Sequence, residues 1–309
     1  MSRVIVITGP TATGKTALGV SLGLRVGGEV VSADSMQIYR RMDIGTAKPT
    51  PEEILGVPHH MLSVAEPRDG WSVSRYVQEA SACVDDILSR GLTPIIVGGT
   101  GLYIDSLLAG RDFAQAPGDS DVRQRLSDEY DRAGGKAMLS RLAGVDPDRA
   151  KILHAADKKR IVRALEVYEL TGRTITQHDE ETRAVPPRYE SVKYALSFEN
   201  RDDLYARIDR RVDAMMLAGL ENEVRSLLAD GLDDSCTAMQ AIGYKEIAAA
   251  LRGDVSLSDA VELIKRSSRR YAKRQLTWLR RDASVRWILW DRQPDIPAAC
   301  RRIVEECSL

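Results

Sequence analysis

"RVIVITGPTATGKT", residues 3–16, joins a short apolar run to a polar turn bracketed by glycines. The run is apolar at nearly every position, as a strand buried on both faces requires. The turn, GPTATGKT (9–16), fits G-x-x-x-x-G-K-[ST], the loop that cradles phosphate with its backbone N–H groups. Gly9 and Gly14 permit the tight path. Lys15 supplies a point charge, and Thr16 a hydroxyl for Mg²⁺. Gly9, Pro10, Thr11, Ala12, Thr13, Gly14, Lys15 and Thr16 are therefore expected to hold phosphate oxygens at a helix N-terminus. The motif does not name the molecule, because a diphosphate fits the cradle as well as a nucleotide tail does.

Outward from the loop, strands alternate with helices. KTALGVSLGLRVG (15–27) is the helix that the loop opens, and EVVSADS (29–35) is a second strand ending in polar residues. Over 71–91, apolar residues recur at helical spacing and Gly91 supplies a C-terminal stop. TPIIVGGTG (93–101) is a third strand running into a glycine turn. This alternation predicts an α/β fold, a parallel sheet flanked by helices, with ligands at the carboxyl ends of its strands. Those ends fall at 8–16, 33–37 and 98–101. From 113 to 178 the periodicity is helical only, and DEETRAVPPRYE (179–190) resembles a connection back. VKYALSF (192–198) and VRWILW (285–290) are further strands. The organisation expected is a core of 1–112 and 190–309 with an all-helical insertion at 113–189.

The 44 basic and 45 acidic residues nearly cancel, so a polyanionic partner must be met by local clusters. One such cluster, ELIKRSSRRYAKRQLTWLRR (262–281), holds eight basic residues and one acid. Its Tyr271 and Trp278 are more simply core residues than base-stacking ones. No apolar run approaches the roughly 18 residues of a membrane helix. The N-terminus passes straight into the loop with no basic, apolar and small-residue leader, so a cytoplasmic protein is the simplest expectation. Neither the four cysteines nor the four histidines have metal-ligand spacing.

Asp34 stands at a strand end facing the loop. Its residue type suits a general base beside a phosphate site, and equally a helix cap or a Mg²⁺-shell carboxylate. PIIVGG (94–99) carries no acid where a hydrolytic NTPase holds its metal ligand, which weakens an ATPase reading.

GPTATGKT, SADSMQIYRRMDIGTAKP (32–49), PHHML, PIIVGGTGLY, RIVRALEVYELTG, QAIGYKE and AKRQLTWLRR together resemble the bacterial tRNA dimethylallyltransferase (tRNA isopentenyltransferase) family, in the same order from residue 3 to about 290. The resemblance implies a fold related to P-loop kinases, with a helical insertion gripping the anticodon arm of tRNA. It implies transfer of a dimethylallyl group from dimethylallyl diphosphate to N6 of the adenosine 3′ of the anticodon, with Mg²⁺ and without ATP, by a monomer. Asp34 falls on the family's catalytic aspartate and Arg211 on its diphosphate-binding arginine, with Thr11 in a catalytic place. Arg207, one turn earlier, is a weaker candidate than Arg211. Family tRNA contacts fall on Asp34, Ser35, Met36, Gln37, Thr100, Arg123, Lys159, Arg160, Arg163, Gln240, Gly243 and Lys245. The chain departs from the family at Gln240, where bacterial relatives carry Arg. Three rivals remain: a prenyltransferase acting on free adenine nucleotide, a small-molecule kinase or NTPase, and a non-catalytic RNA-binding protein.

Overall fold

The computed structural model describes residues 4–110 and 120–308. These form two compact units, one of residues 4–108 and 189–308, the other of 109–110 and 120–188. The core–insertion boundary expected at 112–113 lies outside the described residues, as do the first residues of the expected insertion.

In the first unit the chain runs β1 (Val4–Thr8), α1 (Lys15–Val26), β2 (Glu29–Ser32), α2 (Pro51–Ile54), β3 (His59–His60), α3 (Val73–Ser89), β4 (Pro94–Val97) and α4 (Gly101–Ala109). The second unit contributes α5 (Ser120–Ala133), α6 (Gly135–Val145), α7 (Pro147–Ile152), α8 (Lys158–Thr171) and α9 (Ile175–Ala184). The first unit then resumes with β5 (Ser191–Phe198), α10 (Arg201–Leu217), α11 (Leu220–Ala229), α12 (Tyr244–Arg252), α13 (Leu257–Leu279), β6 (Arg286–Trp290) and α14 (Ile296–Cys307).

The six strands form one wholly parallel sheet in the order β3-β2-β4-β1-β5-β6. Every residue of β1, β2 and β4 is buried; β1 and β4 read as almost wholly apolar runs, whereas β2 begins at the buried Glu29 and ends at Ser32. Ile5, Ile7, Leu18, Leu22, Ile95, Tyr194, Leu196 and Ile303 share one core with the sheet. A second core joins Ile38, Tyr39 and Met42 to Leu220, Val224, Tyr244 and Ile247. This is the α/β architecture expected. Among the described residues no helix is long and apolar enough to cross a membrane.

Three segments differ from their sequence-based expectation. β2 stops at Ser32 rather than 35, because the Asp34 carboxylate bonds the next backbone N–H groups and turns the chain. Residues 179–184 are the end of α9, which a reciprocal cap between Thr174 and Gln177 starts; Val185-Pro-Pro then ends it. Beyond 291 the tail forms α14, whose Ala299, Cys300 and Ile303 are buried in the core with Leu18 and Leu22 of α1. β3 has only two residues and no period to detect.

The helical unit has its own core of Leu126, Met138, Leu142, Ile161, Val162 and Leu165. Its helices turn at glycine and cap positions, such as Gly172 in the left-handed conformation after α8 (φ 68°).

Candidate active site

The phosphate loop leaves β1 at Gly9, whose φ is 138°. A Cβ built there would stand 2.4 Å from the Leu196 carbonyl oxygen, so only glycine passes between loop and β5. The loop is braced from within and without. Thr13 Oγ1 donates to the Pro10 carbonyl at 2.8 Å, and Trp290 Nε1 of β6 donates to the Thr13 carbonyl at 2.9 Å. Lys15 Nζ donates to the Pro10 carbonyl at 2.7 Å. Arg207 Nε reaches the Ala12 carbonyl at 3.1 Å. Arg207 thus shapes the loop from α10, a structural use for the weaker of the two sequence candidates. Thr11 is half-buried in the loop, and Thr16 half-buried in the first turn of α1.

Two cations converge on this loop. Lys15 keeps part of its surface open, yet its surroundings strip enough water to pull the ammonium down to about 7, with Arg211 adding to the effect and Asp34 opposing it. Burial also lowers Arg211, opposed by the charges of Asp34 and then Glu53. Arg211 Nε is buried with no hydrogen-bond partner among the described residues. An unsatisfied guanidinium nitrogen beside a desolvated ammonium is costly in an empty site and favourable once an anion enters.

Asp34, just after the second strand, lies within electrostatic range of both cations and raises each of them. Its Oδ1 accepts the N–H of Met36 at 2.9 Å and of Gln37 at 3.4 Å. The alternative of a helix cap is not realised, since no helix follows directly. Beside it, Thr100 Oγ1 accepts the Ser35 N–H at 3.1 Å, and Thr100 N–H reaches the Ala33 carbonyl at 3.1 Å. A Cβ on Gly98 would lie 2.2 Å from the Ala33 carbonyl oxygen, so the glycine turn after β4 is what lets the two strand ends touch.

The inner face of α13 secures that turn. Gln275 Nε2 donates to the Gly99 carbonyl at 2.8 Å, and Trp278 Nε1 donates to Asp105 Oδ2 at 2.9 Å. The Tyr271 hydroxyl is pushed up to about 12 by burial and then by the Asp34 charge, with a hydrogen bond from Thr100 opposing. Tyr271 therefore lies at the site, and Trp278 packs on the turn as a structural residue. The sequence showed this stretch as a charge run and gave no signal for Gln275. Lys265 and Arg269 face α10, paired with Asp213 at 2.8 Å and with Asp209 at 2.5 Å. Arg266, Arg270, Lys273, Arg274, Arg280 and Arg281 are exposed.

The remaining candidates divide between the units. Gln37 turns its side chain inward: Nε2 donates to the carbonyls of Thr46 (3.3 Å) and Ala47 (3.1 Å), and Oε1 accepts from Ser32. Gln240 is exposed, its Nε2 on the Asp234 carbonyl at 2.6 Å. Gly243 starts α12 with φ 101°, its N–H capped by Glu246, and Lys245 is exposed two residues on. In the helical unit, Arg123 and Arg163 share the wholly buried Glu166, at 3.0 Å each. Burial raises the Glu166 carboxyl, but Arg123 and then Arg163 more than offset this and hold it low. Lys159 and Arg160 project from the same helix, exposed.

A family model for IPP transferase matches residues 37–282, most of the chain. The chain belongs to the IPP transferase family. A model for isopentenyl transferase also matches residues 2–70, which include the phosphate loop. This IPP transferase is 49% identical to the tRNA dimethylallyltransferase of Desulforudis audaxviator, with 92% of this chain and 91% of that one aligned. It is 46% identical to the tRNA dimethylallyltransferase of Acetivibrio thermocellus, over 93% of this chain and 92% of the other. Among solved structures it resembles the tRNA isopentenylpyrophosphate transferase of Bacillus halodurans (TM-score 0.74, 39% identity, 100% and 96% covered). It also resembles a eukaryotic dimethylallyltransferase acting on tRNA (TM-score 0.84, 28% identity, 98% and 78% covered). The family assignment agrees with the resemblance carried by the seven sequence motifs.

Proposed function

We propose that this IPP transferase moves the dimethylallyl group of dimethylallyl diphosphate to N6 of the adenosine 3′-adjacent to the anticodon of tRNA, releasing diphosphate. The observation that carries this reading is that Asp34 lies within electrostatic range of two desolvated cations, Lys15 and Arg211, beside the phosphate loop. A carboxylate near two cations suits a reaction that takes a proton at one end and releases an anion at the other.

The chemistry follows. The exocyclic amine of adenine is a poor nucleophile, since its lone pair is delocalised into the ring. As the N6–C bond forms and the C–O bond to diphosphate breaks, Asp34 accepts the N6 proton. The negative charge that grows on the departing oxygen meets loop N–H groups, Lys15 and Arg211. Thr11, within the loop, belongs to the same cradle. The adenine has to leave its stack to reach this depth. Ser35, Met36, Thr100 and Tyr271 line its route, with Gln240, Gly243 and Lys245, and Arg123, Lys159, Arg160 and Arg163 of the helical unit, as further RNA contacts.

Among the described residues no cluster of three His, Cys, Asp or Glu could hold a metal ion. The half-buried Thr16 hydroxyl at the loop fits an oxygen ligand for Mg²⁺ and would help hold the ion with the donor. When bound, the ion would neutralise part of the diphosphate charge.

The test is transfer in vitro. Enzyme, Mg²⁺, dimethylallyl diphosphate and unmodified tRNA, without ATP, should yield dimethylallyl-adenosine on nuclease digestion and mass spectrometry. Product from AMP but not from tRNA, or an absolute need for ATP, would overturn the reading.

A further inference from the structure

Glu223 lies in the first turn of α11, and its carboxylate closes on a loop of the neighbouring segment. Oε2 accepts the N–H of Asp43 at 2.9 Å and of Ile44 at 2.8 Å. Oε1 accepts the N–H of Gly45 at 3.1 Å and the hydroxyl of Tyr244 at 2.6 Å. Three successive N–H groups converging on one anion form a nest, and here a side chain fills it. The buried Tyr244 hydroxyl is raised well above the usual phenol range by burial and then by Glu223, so it stays a donor. The loop lies flat on this ring: a Cβ on Gly45 would fall 2.5 Å from Tyr244 Cε2.

The far side of the loop faces the site. The Thr46 and Ala47 carbonyls accept both Gln37 amide bonds, at 3.3 and 3.1 Å. Gln37 N–H, with Met36 N–H, holds Oδ1 of Asp34. Lys48 ties down the same loop through Asp43 Oδ1 (2.6 Å), the Tyr39 carbonyl (2.6 Å) and Ser63 Oγ (2.8 Å). Hydrogen bonds joined by the covalent chain therefore connect Glu223 to residues 43–45, residues 46 and 47 to the Gln37 side chain, and the Gln37 backbone N–H to the carboxylate of Asp34.

We propose that Glu223 is a positioning residue for the transfer reaction, fixing the orientation of the Asp34 carboxylate through the 43–47 loop and Gln37. This rests on the reading of Asp34 as the base. Nothing in the sequence marks it, since a glutamate in the first turn of a helix is ordinary for the helix dipole alone. A side chain that only clipped the fold together would lower stability and leave the chemical step alone. A positioning side chain lowers the rate at saturation and leaves the donor's affinity alone, because the diphosphate cradle is not on this line.

The experiment is a double-mutant cycle on the single-turnover rate at saturating tRNA and dimethylallyl diphosphate, with Asp34→Asn beside it. Glu223→Ala should slow the saturated rate about 10- to 100-fold, the scale of a small misplacement of a reacting group. Donor affinity should stay within about twofold, as for loss of an interaction used in the chemical step. Glu223→Ala with Gln37→Ala should be no slower than the worse single variant. Losses that multiply, or a normal saturated rate in Glu223→Ala, overturn the proposal. Should Glu223→Ala fail to fold, Glu223→Gln replaces it in the cycle and Tyr244→Phe accompanies it. Gln keeps an accepting oxygen for Asp43 and Ile44 but turns its NH₂ toward Gly45, so its rate should fall between wild type and Gln37→Ala. A wild-type rate in Glu223→Gln overturns the proposal. A normal rate in Asp34→Asn would instead remove the base, and is told apart because it fails whatever Glu223 does.

Discussion

Arg211 works against the charge of Lys15: the guanidinium is the second cause, after burial, of the lowered Lys15 ammonium. Two like charges held together with a buried, unsatisfied Arg211 Nε are strain held in reserve for an anion. The consequences are measurable on the empty protein.

Donor binding should take up protons. With Lys15 at about 7 in the empty site, a fraction of the protein is neutral there at pH 7.5 or so, a condition set by ordinary acid–base equilibrium. A bound diphosphate favours the ammonium and raises its pKa. Affinity should therefore be highest below 7 and fall as pH rises through 7 and beyond. Calorimetry at pH 8 in buffers of different ionisation enthalpy should show proton uptake. No dependence on buffer would mean that Lys15 is already charged before the donor arrives.

Lys15→Met should make the empty protein more stable while destroying donor binding. The folded pKa of Lys15 lies below its unfolded one, so holding the charge destabilises the fold. That penalty is complete below about 7 and fades as pH rises toward the unfolded value near 10.4. Pro10 would not be orphaned, because Thr13 Oγ1 also donates to its carbonyl. The melting temperature at pH 6 should rise, by on the order of 2–4 °C per kcal/mol recovered. The gain should shrink at pH 9.5. A lower melting temperature at both pH values would show that Lys15 holds the loop together.

The parts legible in the sequence were those with a local signature. The phosphate loop needs glycines at fixed offsets, and the strands carry short apolar stretches between polar turns, so β1, β2, β4, β5 and β6 could all be placed. Asp34 was legible because a strand end in a parallel sheet points at the ligand. Gln275, Glu223 and Trp290 were not. Each acts on a backbone carbonyl or N–H more than 170 residues away in sequence, and no periodicity records which loop a helix will meet. The two-residue β3 is shorter than one period of its own pattern. α14 was missed because residues 291–309 fell outside the motifs, although its apolar positions recur at helical spacing.

RNA affinity should be salt-dependent, and its slope can be apportioned. Arg160 is exposed, whereas Arg123 and Arg163 are tied to the buried Glu166. If Arg160 meets a phosphate, Arg160→Ala should reduce the slope of log affinity against log salt by about 0.7–0.9 and leave melting unchanged. Arg123→Ala should lower the melting temperature too, because it leaves Glu166 with less compensation. An unchanged slope for Arg160→Ala returns that side chain to an ordinary solvated face.

Asp34→Asn separates the base from the cradle. It keeps the size and an oxygen for the Met36 N–H, but it cannot take the N6 proton. The single-turnover rate should fall roughly 10²- to 10⁴-fold with donor affinity little changed. Abolished donor binding with an intact saturated rate would make Asp34 a ligand of Mg²⁺ instead.

Glu29 provides a test of the fold away from the chemistry. It is buried at the start of β2, the strand end opposite Asp34, and is 7% exposed. Arg90 grips it with NH1 at 2.5 Å and NH2 at 2.8 Å, and His60 Nε2 lies 2.7 Å from Oε2. The Arg90 hydrogen bonds, against the cost of burial and with His60 helping, hold the carboxyl down at about 2. A carboxyl depressed in the folded state contributes its full stability above the unfolded value near 4.3. The contribution is lost as pH falls from there toward 2. Glu29→Gln should cost about 1–2 kcal/mol at pH 7, the lower part of the range for charged hydrogen bonds because Arg90 stays largely in water. Its melting temperature should fall less than that of wild type between pH 5 and pH 3. Single-turnover transfer at neutral pH should be unchanged in this variant. Equal acid sensitivity in the two proteins would show that Arg90 and His60 do not hold Glu29 ionised, and that other carboxylates set the acid limit.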